Sequence, residues 1–392
     1  MPEPEGAGLA IAWHSRCADL PAPLWSRAFP PPFEGRAWFE AVQAGTLPGQ
    51  FHFQYGLLTR NGVAAGIVPA FVYDLPLALV LPEPLARVLL PLARGPLRAL
   101  AVQRTFFIGN VAGDEGHVGL VPGVALAEVA PAIHRAARAR ANVLGAPVVV
   151  WKDFPEADRE AMDMLVRGGR AFRMASFPGA EVPIHPGGFA ALLGAMRSQH
   201  RNKLRVKLRK GCAAFEVRAS VESQPSDDLL REVFALFEQT RARATTRFET
   251  LTPEFFRAIA ASAETSFVLL RHAVDGRLVA FMLVFDLDTR IVNKYIGLDY
   301  SVAEEGRLYF RLFAAAYDWA ATTAARVLSS GQTGYTGKMG LGHALVPLWN
   351  CVEHRNGLVN AAYRMGAKGI SWSTLDPQLA EWVRAHPGAE PR

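Results

Sequence analysis

"FVLLRHAVDGRLVAFMLVFDLD", Phe267 to Asp288, holds two apolar runs on either side of Asp275-Gly276, a dipeptide that tolerates the positive φ of a tight hairpin turn. The stretch "YGLLTRNGVAAGIVPAFVYD", Tyr55 to Asp74, repeats the pattern around Asn61-Gly62. Working outward, each hairpin is preceded by a short strand and two helical stretches. In the first half it is followed by a strand, a helix, a strand, a helix and a last strand, and in the second by a strand, a helix, two strands and a helix. The spacing predicts the last strands near residues 172–184 and 345–352, and each half reads β-α-α-β-β-β-α-β-α-β or close to it. Repetition of a whole domain accounts for this better than two unrelated folds. The fold class is therefore α/β, an α+β mixed sheet covered by helices, present in tandem. Pro and Gly cluster in "VPIHPGG", residues 182–188, which places the boundary there and the domains at 1–184 and 185–392.

Half of the 392 residues are hydrophobic and 20% are charged, enough apolar material for two cores and too much for disorder. Three cysteines, Cys17, Cys212 and Cys351, give neither a disulfide framework nor a zinc ribbon, and a reducing cytoplasm fits them. No basic region followed by an apolar one opens the chain, so no signal peptide is expected. The apolar segment Leu75 to Val102 is interrupted by prolines and carries Arg87, Arg94 and Arg98, which argues against a transmembrane helix. A buried crossover or a surface-seeking insertion both suit it.

The formal charge of +6 is concentrated in "MRSQHRNKLRVKLRKG", Met196 to Gly211, which has seven Lys or Arg and no acid. As a helix it would line Arg197, Arg201, Arg205 and Arg209 along one side and turn Met196, Leu204 and Leu208 inward; the alternation in "KLRVKL" leaves a strand open. It lacks the interleaved aromatics of a nucleic-acid surface. Arg201, Lys203 and Arg205 suit a phosphate-bearing donor or an acidic acceptor, while a solvated helix face remains the plain alternative.

"SSGQTGYTGKMGLGHALVP", Ser329 to Pro347, follows a predicted strand with five glycines. It is not a Walker A loop, because Gln332 and Met339 replace the first glycine and the magnesium-binding hydroxyl. Lys338 could polarise a carbonyl or bind phosphate, and His343, with an ordinary pKa of about 6.5, could serve as a general base. Cys351, Glu353 and His354 would split between two faces of a strand, so no metal site is expected. No nucleophile elbow occurs, and neither Cys212 nor Cys351 lies in a recognisable catalytic signature.

The order of elements resembles the GNAT acyltransferase fold. The second half is similar to the FemAB-related N-acyltransferases of that fold, which include peptidoglycan-biosynthesis-like proteins. "FAALLGAMRSQHRNKLRVKLRKG", "TPEFFRAI" and "SSGQTGYTGKMGLGHALVP" carry the likeness, with Lys338, Gly342 and Pro347 at matching positions. Tyr335, Thr336 and Gly337 depart from it. The resemblance implies that the C-terminal half is catalytic and that the strand after its hairpin splays from its neighbour. It also implies that the next helix offers free backbone N–H groups to an acyl-CoA pyrophosphate, with Gly306, Arg307 and Arg311 assisting.

On that basis the expected reaction moves an acyl group from a CoA or carrier-protein thioester to an amine or hydroxyl of a small acceptor, with no tightly bound cofactor. Ile296 and Gly297 would contact the carbonyl, and Asn293 and Tyr295 the substrate. Tyr309 or Tyr335 would protonate the thiolate, and His343 or Glu304 would deprotonate the acceptor. An aminoacyl-tRNA donor would explain the basic run through its phosphates, and a non-enzymatic nucleic-acid or anionic-membrane module is the third reading. The sequence leaves the oligomeric state open.

Overall fold

The computed structural model describes residues 8–77, 91, 101–244 and 248–391. The N-terminal tail and most of the Leu75–Val102 stretch lie outside them. In chain order the first elements are β1 (Leu9–His14), α1 (Ala22–Ala28), α2 (Arg36–Gly45), β2 (His52–Arg60), β3 (Val63–Pro76), β4 (Val102–Ile108), β5 (Gly119–Leu120), α3 (Leu126–Val143), β6 (Val148–Pro155), α4 (Arg159–Arg167) and β7 (Phe172–Ala175). There follow β8 (Gly179–Pro183), α5 (Gly188–Ala195), α6 (Ser198–Ala214), β9 (Val217–Glu222), α7 (Asp227–Arg243), α8 (Pro253–Ala260), β10 (Thr265–His272), β11 (Leu278–Asp286) and β12 (Arg290–Leu298). The chain ends with α9 (Leu308–Ala320), β13 (Val327–Ser329), α10 (Tyr335–Met339), β14 (Ala344–Val346), β15 (Leu348–His354), α11 (Gly357–Ala367), α12 (Trp372–Leu375) and α13 (Pro377–Ala385).

Both hairpins form. Asn61 (φ 51°) and Gly62 (φ 77°) make the two-residue turn between β2 and β3, as left-handed conformations at both positions require. The second hairpin is looser: a bulge after Leu270 lets five residues, 273–277, connect β10 to β11, with Gly276 at φ 74°. β11 is buried from Leu278 to Phe285 because both faces of this central strand are covered, which is why its sequence is continuously apolar rather than alternating.

The strands form two mixed sheets. One runs β1-β2-β3-β4-β6-β15-β7, with β5 beside β3, and the other runs β14-β8-β13-β12-β11-β10-β9. With β1–β4, β6 and β7 counted as strands 1–6 of one sheet and β9–β14 as strands 1–6 of the other, each sheet has the order 1-2-3-4-5-7-6, and in each the strand counted seventh, β15 or β8, comes from the opposite half of the chain. β15 inserts antiparallel between β6 and β7, and β8 pairs antiparallel with β13. The residues expected as single strands near 172–184 and 345–352 are therefore two strands each, in different sheets. Pro178 and Pro347 stand at the breaks, where the missing N–H cannot continue a ladder.

The compact units follow this exchange. Unit 1 comprises residues 1–30, 46–178 and 346–392; unit 2 comprises 31–45 and 179–345. The sequence placed one boundary at 184/185, whereas the chain passes between units several times. In unit 1 the core is built by Val68, Phe106, Trp151 and Phe154 from the sheet with Val129, Ile133 and Met162 from α3 and α4. In unit 2 it is built by Val268, Met282, Ile291 and Leu328 with Leu312, Phe313 and Tyr317 from α9.

Two glycines allow close approach in unit 2. At Gly45 a Cβ would collide with Cα and Cβ of Phe255, and Thr252 donates its N–H to the Gly45 carbonyl (2.8 Å), so α2 seats directly on α8. At Gly297 a Cβ would lie 2.7 Å from the carbonyl carbon of Leu236 and 2.8 Å from the nitrogen of Phe237, so α7 crosses β12 backbone to backbone. Gly297→Ala should destabilise the protein by about 1–3 kcal/mol, read as a lowered midpoint in urea unfolding.

Candidate active site

β12 and β13 run parallel and pair only over Arg290–Val292 and Val327–Ser329. Beyond that point β12 continues to Leu298 with β11 on one side and, among the described residues, no strand on the other. A one-residue bulge sits where the strands part: Asn293 lies opposite Val284 and Tyr295 opposite Leu283, leaving Lys294 as the extra residue. Its side chain, 1% exposed, forms an ion pair with Glu34 and lies 4.6 Å from the Trp38 ring centroid. Burial alone would raise the Glu34 carboxyl, but the Lys294 ammonium and its hydrogen bond, with Arg290 adding, hold it below its ordinary value.

Unit 1 treats the same place differently. β4 and β6 pair as far as Ile108 and Trp151. The chain then folds back so that Gly116 donates its N–H to the Asp153 carbonyl (2.8 Å), and a Cβ on Gly116 would strike the Lys152 carbonyl. The edge of β6 is thus taken by the protein's own backbone. Asp153 itself is left-handed (φ 61°), held by Ser176, Lys152 and Asn350.

The expected site residues of unit 2 fall into three groups. The first is the parting of the strands. Asn293 is half-buried, and its side chain makes no hydrogen bond among the described residues. Tyr295 donates its hydroxyl to Glu249 (3.0 Å) and packs edge-on against Phe237 and Phe255. Ile296 packs at the margin of the α9 core, and Gly297 is the α7 crossing.

The second group is the glycine-rich segment. The carbonyl of Lys338 accepts from His343 Nδ1 (2.9 Å), which fixes the proton there and leaves Nε2 to accept from the Ser330 hydroxyl (2.9 Å). Burial drives the imidazole pKa down to about 3 from 6.5, so the ring is neutral and a weak base at pH 7. The unfolded chain therefore takes up this proton first. Stability from His343 is complete above pH 6.5 and is lost as pH falls toward 3, so the melting temperature should drop between pH 7 and pH 5, with a shallower slope in His343→Asn.

Around this histidine, Tyr335 is fully buried and Lys338 nearly so. The ring of Tyr309 lies against Gly337, and Phe313, one turn later on α9, touches His343. Burial pushes the Tyr309 phenol up, so it stays protonated. Its hydroxyl makes no hydrogen bond among the described residues. The Gln332 side-chain nitrogen is also buried without a partner.

The third group surrounds the start of α9. Here the N–H groups of Gly306, Arg307 and Leu308 already donate to Val302, Glu304 and Ala303, and Arg307 is left-handed (φ 49°). Arg311 donates to the carbonyls of Gly211, Phe215 and Gly306, closing the end of α6. These groups hold the loop's shape before any phosphate arrives. Glu304 is 93% exposed and 3.8 Å from Arg307.

The basic run is the helix α6, with Leu204 buried and Leu208 against the core. Arg201 caps the end of α5 through the carbonyls of Gly194 (3.1 Å) and Met196 (3.3 Å), and Lys207 lies over Phe310. Lys203 and Arg205 point to solvent. His200 donates to the Gly340 carbonyl (2.8 Å) and so ties α6 to the glycine-rich segment. Ser330, Gln332 and His200 were not singled out as site residues, since nothing in local sequence marks their partners. Cys351 is buried with its thiol pushed up to about 12, unsuited to nucleophilic attack. Among the described residues no group of three His, Cys, Asp or Glu could hold a metal, and no helix is long and apolar enough to cross a membrane.

Comparison with known proteins agrees with this geometry. Residues 198–335, from the first residue of α6 to the first of α10, match the acetyltransferase (GNAT) domain family. Among solved structures, FemX is 12% identical, with 90% of this chain and 99% of that one covered at a TM-score of 0.55. L-PGS from Bacillus licheniformis is 12% identical, covering 81% and 90% at 0.50. A conserved protein of unknown function from Bacteroides thetaiotaomicron is 9% identical, covering 88% and 100% at 0.51. At these identities the likeness is one of fold. No curated protein matches the chain. Residues 198–335 thus belong to a GNAT-type acetyltransferase domain, and the sheet of unit 1 repeats the strand order of the sheet that this domain helps to build.

Proposed function

We propose that unit 2 transfers an acyl group from a thioester donor, CoA or a carrier protein, to the amine of a small acceptor, and that unit 1 serves as its scaffold. The observation that carries this reading is the asymmetry at the fourth and fifth strands: β12 and β13 part at a bulge, whereas the matching place in unit 1 is filled by Gly116. The free edge of β12 offers backbone groups to an extended amide-bearing arm as a neighbouring strand would. Asn293 and Gln332, whose side-chain nitrogen is buried without a partner, lie one and three residues beyond the last β12–β13 pair, Val292 and Ser329.

In the reaction the acceptor nitrogen attacks the thioester carbon, the C–N bond forms and the C–S bond breaks. The nitrogen loses a proton and the sulfur leaves as a thiol. The thioester is already activated, so alignment, oxyanion stabilisation and one proton donor suffice. In this reading Gln332 donates to the carbonyl oxygen, and Tyr309 protonates the sulfur. Gln332→Ala should lower kcat about tenfold to a hundredfold with the melting temperature unchanged, since its nitrogen loses no internal partner.

The aminoacyl-tRNA reading keeps one specific support, the solvent-facing Lys203 and Arg205 of α6. Acyl transfer to an amine panel, measured in parallel with acyl-CoA and with charged tRNA, separates the two. Turnover with acyl-CoA alone is the expected result; turnover with charged tRNA alone would replace this reading.

A further inference from the structure

We infer that one end of unit 1 is a docking face for an anionic lipid surface. α11 is amphipathic in the reverse sense: its inward side rests on Asn360 and Tyr363, while Leu358, Ala361, Ala362 and Met365, spaced i, i+3, i+4, i+7, face solvent. Leu358 is 85% exposed and Met365 70%. The end of α3 adds Val143, 75% exposed.

These residues share one end of the sheet. Arg104, at the start of β4, donates to the Leu144 carbonyl (3.0 Å), Tyr363 donates to Gln103 (3.2 Å), and the Arg355 N–H donates to the Pro147 carbonyl (2.8 Å). The charge on and beside the apolar stripe is mainly positive, with Glu390, near Lys368, accepting from the Ser373 N–H (3.1 Å). α11 contains no acid, Arg355 and Lys368 flank it in solvent, and Arg364 lies on its surface. Asp74 is paired with Arg104 (3.2 Å), and Glu353 is buried beneath His134, Arg138 and Arg170.

An exposed apolar stripe with Arg355, Arg364 and Lys368 beside it fits the boundary between acyl chains and anionic headgroups, where apolar burial and phosphate attraction act together. A second copy of this chain would bring the same cations against each other, which disfavours that occupant. The face lies in unit 1, which holds none of the residues assigned to catalysis, so it bears on where the enzyme works rather than on how.

The test is sedimentation of the full chain with vesicles of phosphatidylcholine alone or mixed with phosphatidylglycerol, at low salt and at about 150 mM. The expected result is at least tenfold tighter binding to the anionic vesicles, weakening with salt. Leu358→Asp with Met365→Asp should bind at least tenfold more weakly, as should Arg355→Glu with Lys368→Glu, both with unchanged melting temperature. No preference for anionic vesicles, or variants that bind like wild type, would overturn the inference. So would a wild-type dimer that the Leu358 and Met365 changes make monomeric, since the face would then belong to a second copy.

Discussion

Lys294→Met should cost about 3–5 kcal/mol of stability, because it leaves the Glu34 carboxylate buried with no ammonium beside it. The two partners are 260 residues apart in sequence, and Glu264 nearby already has its carboxyl raised by burial and by Glu34. Removing both charges, Lys294→Met with Glu34→Gln, should recover most of the loss, since a neutral pair of similar volume carries no desolvation penalty. The single variant also has a pH signature. In the wild type, stability from Glu34 is present above its ordinary value of 4.5 and is lost as pH falls through its lowered folded value. In Lys294→Met burial raises that carboxyl instead, so the deficit should shrink once the pH is low enough to protonate it. Urea unfolding at pH 7 and pH 4 measures both. A single variant as stable as wild type would mean that the pair is not what anchors residues 31–45 to unit 2.

Tyr309→Phe should lower kcat about 10²- to 10⁴-fold, the range for loss of a proton-transfer group, while the KM for the donor stays near its wild-type value. The phenol is suited to this role on two counts: its hydroxyl has no hydrogen-bond partner among the described residues, and its ring is held against Gly337. Because no internal hydrogen bond is lost, the melting temperature should hardly move. Tyr335 is the contrasting case, fully buried at the start of α10, and Tyr335→Phe should be read mainly in stability. Unchanged turnover in Tyr309→Phe would remove it from the mechanism.

Much of the fold was legible because its signals are local. Asn61-Gly62 and Gly276 announce positive φ, and "RIVNKYIGL" is the strand β12 residue for residue. What was not legible is pairing. Residues 172–184 and 345–352 were each read as one strand, although Pro178 and Pro347 mark both breaks, because nothing nearby says which sheet a short strand joins. The exchange of the seventh strands and the passage of 31–45 into unit 2 are set by contacts distant in sequence.

The candidate site divides the same way. Resemblance brought Tyr309, Asn293 and the glycine-rich segment forward, and the structure gathers Tyr309, Tyr335, Lys338 and His343 around α10. It gives Arg311 and Arg201 duties at helix ends that a reading of charge alone cannot foresee, because carbonyl acceptors leave no trace in the sequence. The bulge at Lys294 was equally silent. An extra residue in one strand shows only against its neighbour.

The central claim is that the parting of β12 and β13 is where the donor binds, and that unit 1 lacks such a place. Amide hydrogen exchange of the full chain with and without coenzyme A tests it most directly. The account predicts slower exchange over residues 293–298 on adding coenzyme A, with residues 109–118 unaffected. Protection over 109–118, or no change over 293–298 at saturating coenzyme A, would contradict it.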